Sequence, residues 1–80
     1  MKRRFGVSRQ ALWATHNWCK ASESLERWVV EHPYESLSHP EAQRLLQVKV
    51  GAIMLNIAAH PHFDKNYWDF ELKKQMELME

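Results

Sequence analysis

The sequence has little glycine and almost no cysteine. Its two glycines, Gly6 and Gly51, lie far apart, so the chain has no glycine-rich loop of the kind that cradles a phosphate group. The single cysteine, Cys19, excludes an intramolecular disulfide and indicates a reducing compartment. We interpret Cys19 as a small buried hydrophobic residue and not as a reactive thiol.

Long apolar segments are also missing. The most apolar stretch, residues 48–59, is interrupted by Lys49, Gly51 and Asn56 and is too short to cross a bilayer. The basic start of the chain is followed by mixed polar residues, without the continuous apolar segment of a secretion signal. We therefore expect a cytoplasmic protein that does not associate with membranes.

The charges are unevenly distributed, although the net charge is only +1. Residues 1–20 contain five basic and no acidic side chains, whereas residues 21–63 and residues 64–80 each carry a net charge of −2. One end of the chain is therefore suited to phosphate groups or to an acidic partner, and the other end is not.

Prolines and helix-capping residues divide the chain into helical segments. From Ser8 to about His32 apolar residues recur at intervals of three to four, and Pro33 ends the pattern. This segment is either one helix or two helices with a break near residues 21–22, where Ser22 would cap the second helix. We favour the interpretation with two helices.

Further helices follow this segment. Ser38 is placed to cap the next one, with Pro40 in its first turn and Glu41 at the capping-box position. This helix is apolar on nearly all sides up to His60, which is typical of a central helix that is buried by its neighbours. Asp64 is placed to cap the last helix.

The predicted fold is all-α: a single small domain of three to four helices over residues 1–80, in which residues 1–7 form a basic arm that need not be ordered. A core of this size is near the lower limit for independent folding, so its aromatic residues matter.

The four tryptophans are expected to differ in their surroundings. Trp28 and Trp68 fall on apolar stripes and are predicted core residues. Trp13 and Trp18 lie on a basic helix at a spacing that prevents both from facing the same way. We therefore expect one of the two to be exposed, where it could anchor a partner.

The opening stretch FGVSRQALW matches the turn and second helix of a helix-turn-helix motif. Too few residues precede Gly6 to form the first helix of that motif, so we interpret Ser8 as a helix cap and Leu12 as the first core residue. The basic arm can still contact phosphates in a salt-dependent way. The residues predicted to make weak, non-specific nucleic-acid contacts are Lys2, Arg3, Arg4, Arg9 and Gln10.

No catalytic constellation stands out, so we expect no enzymatic activity and no cofactor. His60 and His62 with Asp64, or His16 with Cys19, have the residue types of metal ligands, but neither pair has a second pair of cysteines or histidines elsewhere to complete a structural zinc site. Three histidines directly precede a proline, which is typical of helix ends. We therefore predict no metal site.

The middle of the chain, CKASESLERWVVEHPYESLSHPE, resembles the Hha/YmoA family of small enterobacterial nucleoid-associated modulators. The family's pattern is a cysteine, an acidic residue, Thr-Leu-Glu-Arg, Tyr-Glu, and then Leu-Ser with an acidic residue. The chain departs from the family at Asn17 and Trp18, which replace a basic pair, and at residues 48–51, where the family has an acidic residue. The matching residues are Cys19, Glu23, Ser24, Leu25, Glu26, Arg27, Tyr34 and Glu35, followed after one inserted residue by Leu37, Ser38 and Glu41.

The resemblance implies a short, cytoplasmic, all-α protein without enzymatic activity. Such a protein binds the amino-terminal dimerisation domain of H-NS-type proteins and modulates gene silencing. By the same resemblance, Glu23 and Glu26 face a basic partner, and the amino-terminal arginines contact DNA. The predicted partner-binding residues are Glu23, Glu26, Arg27, Trp18 and Tyr34.

We therefore favour a non-catalytic helical modulator of gene expression that docks on an H-NS-like nucleoid protein, or on another regulatory protein, near DNA. The alternatives are a small phage- or plasmid-type inhibitor that binds a host enzyme, and a direct DNA-binding regulator that uses the basic amino-terminal helix. A chain this short also gains stability from association, so a homodimer is compatible with each function.

Overall fold

A computed structural model describes residues 9–60 and 64–79. Within these residues the chain forms three helices and no strand: α1 (Arg9–Glu31), α2 (Pro40–Ala59) and α3 (Lys65–Leu78). The predicted all-α class is confirmed, with three helices. The predicted basic arm and the cap at Ser8 lie outside the described residues.

Helix α1 is continuous, so the predicted break near residues 21–22 is wrong. The hydroxyl of Ser22 is buried without a hydrogen-bond partner and caps nothing. The residues on the buried side of α1 recur at alternating intervals of three and four residues. One uninterrupted helix places residues at these intervals on the same side, facing a neighbouring helix. Its members are Ala11, Ala14, Trp18, Ala21, Leu25 and Trp28, of which Trp18 is half-buried and the others are buried.

Two predictions about individual residues of α1 are also wrong. Leu12 is 62% exposed and is not a core residue, because the alanines at positions 11 and 14 face the neighbouring helix instead. Cys19 is exposed and not buried. Trp18 lies on the buried side of the helix, and Cys19, the next residue, faces solvent. Small residues on the buried side allow α1 to approach its neighbour closely.

Helix α2 lies at the centre of the fold, as predicted, and packs against both α1 and α3. It is not buried on nearly all sides, however, because Val48, Met54 and Leu55 are exposed. Its cap is His39 and not Ser38: the Glu41 N–H donates to His39 Nδ1 at 3.1 Å. The Ser38 hydroxyl pairs instead with that of Ser36 at 2.6 Å. Pro40 occupies the first position of the helix, where its missing N–H costs nothing.

Helix α3 begins after Asp64, the predicted cap position. The backbone of Asp64 has φ 53°, in the left-handed region that Asp tolerates better than most residues. Its carboxylate makes no capping hydrogen bond; its backbone carbonyl accepts from the Trp68 N–H at 2.9 Å. The predicted core tryptophans, Trp28 and Trp68, are both buried, which confirms that prediction.

A buried asparagine joins α1 to α2. Asn56 is 0% exposed, and its Nδ2 donates to the carbonyls of Ala14 and Ala52, each at 2.9 Å. The Thr15 hydroxyl lies 3.1 Å from Asn56 Oδ1 and 2.9 Å from the Ala11 carbonyl, and shares its single proton between these two acceptors. Because a buried polar group needs its partners, Asn56 sets how far α2 can slide along α1.

Candidate protein-binding surface

A strip of charged and apolar side chains lies on the solvent side of α1, in its second half. We call it the α1 strip, and it lines a shallow surface depression. Since each member has another member three or four residues away along the helix, the unbroken α1 presents them on one side. They are Glu23, Glu26, Arg27, Val30 and Glu31.

The charges of the α1 strip are not neutralised within the part of the chain that the structure describes. Its three carboxylates and one guanidinium are exposed, and none of them forms an ion pair there. The ion pairs of the described residues lie elsewhere, for example between Lys65 and Asp69 at 3.1 Å. The α1 strip therefore presents a net negative charge to solvent.

Apolar side chains accompany these charges. Val30, within the α1 strip, is 76% exposed, and the neighbouring Val29 is 45% exposed. Tyr34, in the turn after α1, is 98% exposed and so has almost no contact with the rest of the chain. Exposed aromatic and branched side chains beside charged groups are typical of the surfaces that bind other proteins.

The predicted partner-binding residues divide into two groups. Glu23, Glu26 and Arg27 lie together in the α1 strip, and Tyr34 follows in the next turn. Trp18 is not near them: its ring packs edge-on against Trp68, with centroids 5.3 Å apart, on the buried side of α1.

Of the two amino-terminal tryptophans, Trp13 is the exposed one, at 57%, whereas Trp18, the one predicted to bind a partner, is half-buried. The expectation that one of the two is exposed is confirmed, but the choice of Trp18 as the exposed anchor is wrong. Trp18 completes an aromatic cluster with Tyr67 and Trp68, whose rings lie 4.9 Å apart. Partial burial, followed by the nearby charges of Glu71, Cys19 and Asp64, raises the pKa of the Tyr67 hydroxyl above 10.0.

The predicted nucleic-acid residues are only partly described. Lys2, Arg3 and Arg4 lie outside the described residues, whereas Arg9 and Gln10 are exposed at the start of α1. Weak contact with DNA therefore stays a prediction.

Sequence reasoning missed two members of the α1 strip, Val30 and Glu31. They follow Glu23 by seven and eight residues, which is two turns of a helix, so the spacing could have identified them. The favoured break near residues 21–22 hid that signal because it left the orientation of the second half undefined.

Among the described residues, no three histidine, cysteine, aspartate or glutamate side chains are grouped to hold a metal ion. His62, one of the candidate ligands, lies outside them. None of the three helices has the length and apolar character needed to span a membrane.

Comparison with known proteins gives no relative. No protein-family model, no curated protein and no solved structure matches the chain.

Proposed function

We propose that this protein is a non-catalytic helical modulator that binds a regulatory protein through the α1 strip and Tyr34. The observation that carries the proposal is the combination of unpaired acidic side chains with Val30 and Tyr34, which are 76% and 98% exposed. Side chains this exposed add nothing to the folding of an isolated chain, yet a partner can bury them.

The shape of the α1 strip favours a macromolecule over a small ligand. Small-molecule sites are concave and bury most of the ligand, with a few polar groups converging on it. The α1 strip is a shallow depression on one side of a single helix. A surface of that kind fits another protein, because contacts can extend from Glu23 to Tyr34 along the helix and its following turn.

The charge of the α1 strip defines the partner's chemistry. A basic surface with an apolar patch between its cations would complement three carboxylates around Val30. The resemblance to the Hha/YmoA family supports one such partner, the amino-terminal dimerisation domain of an H-NS-type protein, since Glu23 and Glu26 are the residues carried over from that family. Binding there would place the protein beside DNA.

A titration of the protein into an H-NS-type amino-terminal domain, followed by calorimetry, tests the proposal. Glu26→Lys reverses one charge of the α1 strip and is expected to weaken binding about tenfold or more at low salt, with a smaller effect at high salt. Glu77→Lys makes the same charge change at an exposed site on α3 and is the matched control. The proposal is wrong if the domain does not bind, or if both variants bind like the wild type.

The apolar part of the surface needs its own variant. Tyr34→Ala is expected to weaken binding about tenfold or more, since aromatic anchors dominate protein interfaces. Its folding is not at risk because the side chain is 98% exposed. Unchanged binding would show that Tyr34 lies outside the interface.

A further inference from the structure

One exposed side of α2, beside a groove between α1 and α2, is apolar from Val48 onwards. Val48, Met54 and Leu55 are 55%, 57% and 44% exposed, and Gly51 and Ala58 lie among them. We call these five residues the outer face of α2. The outer face contains no charged residue, so water gains few hydrogen bonds there, and burial against another apolar surface is favourable.

Gly51 lies in the middle of the outer face and has no role in the packing of its own chain. A Cβ added at Gly51 would meet no heavy atom within 4 Å. Glycine within a helix is destabilising relative to alanine, because it loses more backbone freedom on folding. A glycine that the fold does not need, at the centre of an apolar helix face, indicates close approach by a backbone from outside the chain.

We propose that the outer face of α2 binds a second copy of this chain, with the two α2 helices antiparallel and Gly51 against Gly51. Arg44 precedes Gly51 by seven residues, and Ala58 follows it by seven. An antiparallel pair centred on Gly51 therefore places Arg44 of each copy beside Ala58 of the other. The last turn of α2 has no basic residue of its own. Arg44 of the other copy would therefore complement the negative end of the helix dipole.

The charges of α1 favour the same orientation. A shallow groove of about 480 Å³ separates α1 from the outer face, and it is lined by Lys20 and Ser24 on the α1 side. The first half of α1 has Arg9 and Lys20 without an acidic residue, whereas the second half, from Glu23 to Glu31, has a net negative charge. In an antiparallel dimer the two α1 helices flank the same side of the contact, and the basic half of one α1 faces the acidic half of the other.

Sedimentation over a concentration series tests the association. The wild type is expected to shift from monomer to dimer as concentration rises. Gly51→Gln places a long side chain at the contact, so the affinity of the variant for itself should fall at least tenfold. Its helical circular dichroism should be retained, since glutamine is a good helix former. Lys73→Gln introduces the same residue at an exposed site on α3 and should dimerise like the wild type.

Disulfide cross-linking tests the register. Because Cys19 is exposed, the experiment uses Cys19→Ser as its background. Gly51→Cys in this background should form a disulfide-linked dimer under mild oxidation much faster than Lys73→Cys does. A wild type that stays monomeric at millimolar concentration overturns the proposal, as does equal cross-linking of the two variants. The function proposed above is tested separately with Tyr34→Ala, which should leave the dimer unchanged because Tyr34 lies outside both α2 and the charged halves of α1.

Discussion

Replacing Asn56 with aspartate converts the side-chain amide into a carboxyl group at the fully buried residue that joins α1 to α2. Asn56 Nδ2 donates to the carbonyls of Ala14 and Ala52, and both contacts are 2.9 Å long. In Asn56→Asp an oxygen occupies the place of that nitrogen and faces the same two carbonyl oxygens. The shape of the side chain is retained, so no cavity contributes to the effect.

The cost of this substitution depends on pH. The two lost hydrogen bonds are worth about 1 kcal/mol each, and a protonated carboxyl can restore one of them. Burial and the facing carbonyls raise the pKa of the introduced carboxyl above its unfolded value of about 3.9. Its protonated form is thus favoured in the folded state, and stability is lost as the pH rises through the folded pKa.

At neutral pH the loss should be large. None of the ion pairs formed by the described residues reaches position 56. Burial of the ionised carboxylate without a partner therefore brings the total cost to about 5 kcal/mol. A domain of 80 residues has a free energy of unfolding of about 4–12 kcal/mol, so the variant should be close to unfolding at pH 7. Below the unfolded pKa of aspartate the cost should shrink to about 1–2 kcal/mol.

Urea denaturation followed by circular dichroism measures this difference against the wild type at each pH. Asn66→Asp makes the same change at an exposed site in the first turn of α3, where a negative charge suits the helix dipole, and it should show no loss at neutral pH. If Asn56→Asp differs from the wild type by the same amount at low and neutral pH, Asn56 is not buried among carbonyls and the α1–α2 register is wrong.

Three other predictions concern packing, helix propensity and ionisation. Leu46 is 0% exposed, and Leu46→Ala should lower the free energy of unfolding by about 3 kcal/mol in urea denaturation; a loss below 1 kcal/mol would contradict its place in the core. Gly51→Ala should stabilise the monomer by about 1 kcal/mol in thermal melts at low concentration, because nothing lies within 4 Å of the added Cβ. A lower melting temperature would show that the added methyl group meets another part of the chain. Tyr34→Phe leaves Tyr67 as the only tyrosine, and its ultraviolet titration should give a pKa above 10.0. The free energy of unfolding should fall as the pH rises through that pKa. A pKa at or below that of free tyrosine would show that Tyr67 is fully solvated.

The helix boundaries could be predicted from the sequence because they depend on local chemistry. Pro33 and Pro40 act through their own rings, so the end of α1 and the start of α2 follow from their positions. The predicted cap of α2, Ser38, is wrong by one residue, because serine is the commoner cap. The conformation of the turn before α2 brings the ring nitrogen of His39 to the Glu41 N–H, which sequence alone does not show.

The buried side of α1 could not be predicted in full. Hydrophobicity alone favours Leu12 over Ala11, yet Ala11 is buried and Leu12 is exposed. The side of α1 that carries Ala11 and Ala14 is held against α2 by the hydrogen bond between Asn56 and the Ala14 carbonyl. Hydropathy ranks Asn56 as an interruption of an apolar helix. Its hydrogen bonds arise only when α1 and α2 lie side by side, so single-residue properties do not reveal them.

The candidate surface was predicted in part for a similar reason. Glu23, Glu26 and Arg27 share one side of a helix by their spacing, which sequence shows directly. The different surroundings of Trp18 and Tyr34 depend on the position of α3, since Trp18 is covered by Trp68 whereas no helix reaches Tyr34.

The central position of α2 has a consequence for the order in which the chain folds. Neighbouring helices are antiparallel and joined by short connections, so most contacts form between segments that are close in sequence, which is typical of fast folding. Among the described residues, α1 and α3 meet at the Trp18 cluster, whose rings come from the first and the last helix. We therefore expect the α1–α2 hairpin with Asn56 to form first and α3 to dock onto it. Amide hydrogens of α3 should accordingly exchange with solvent before those around Asn56.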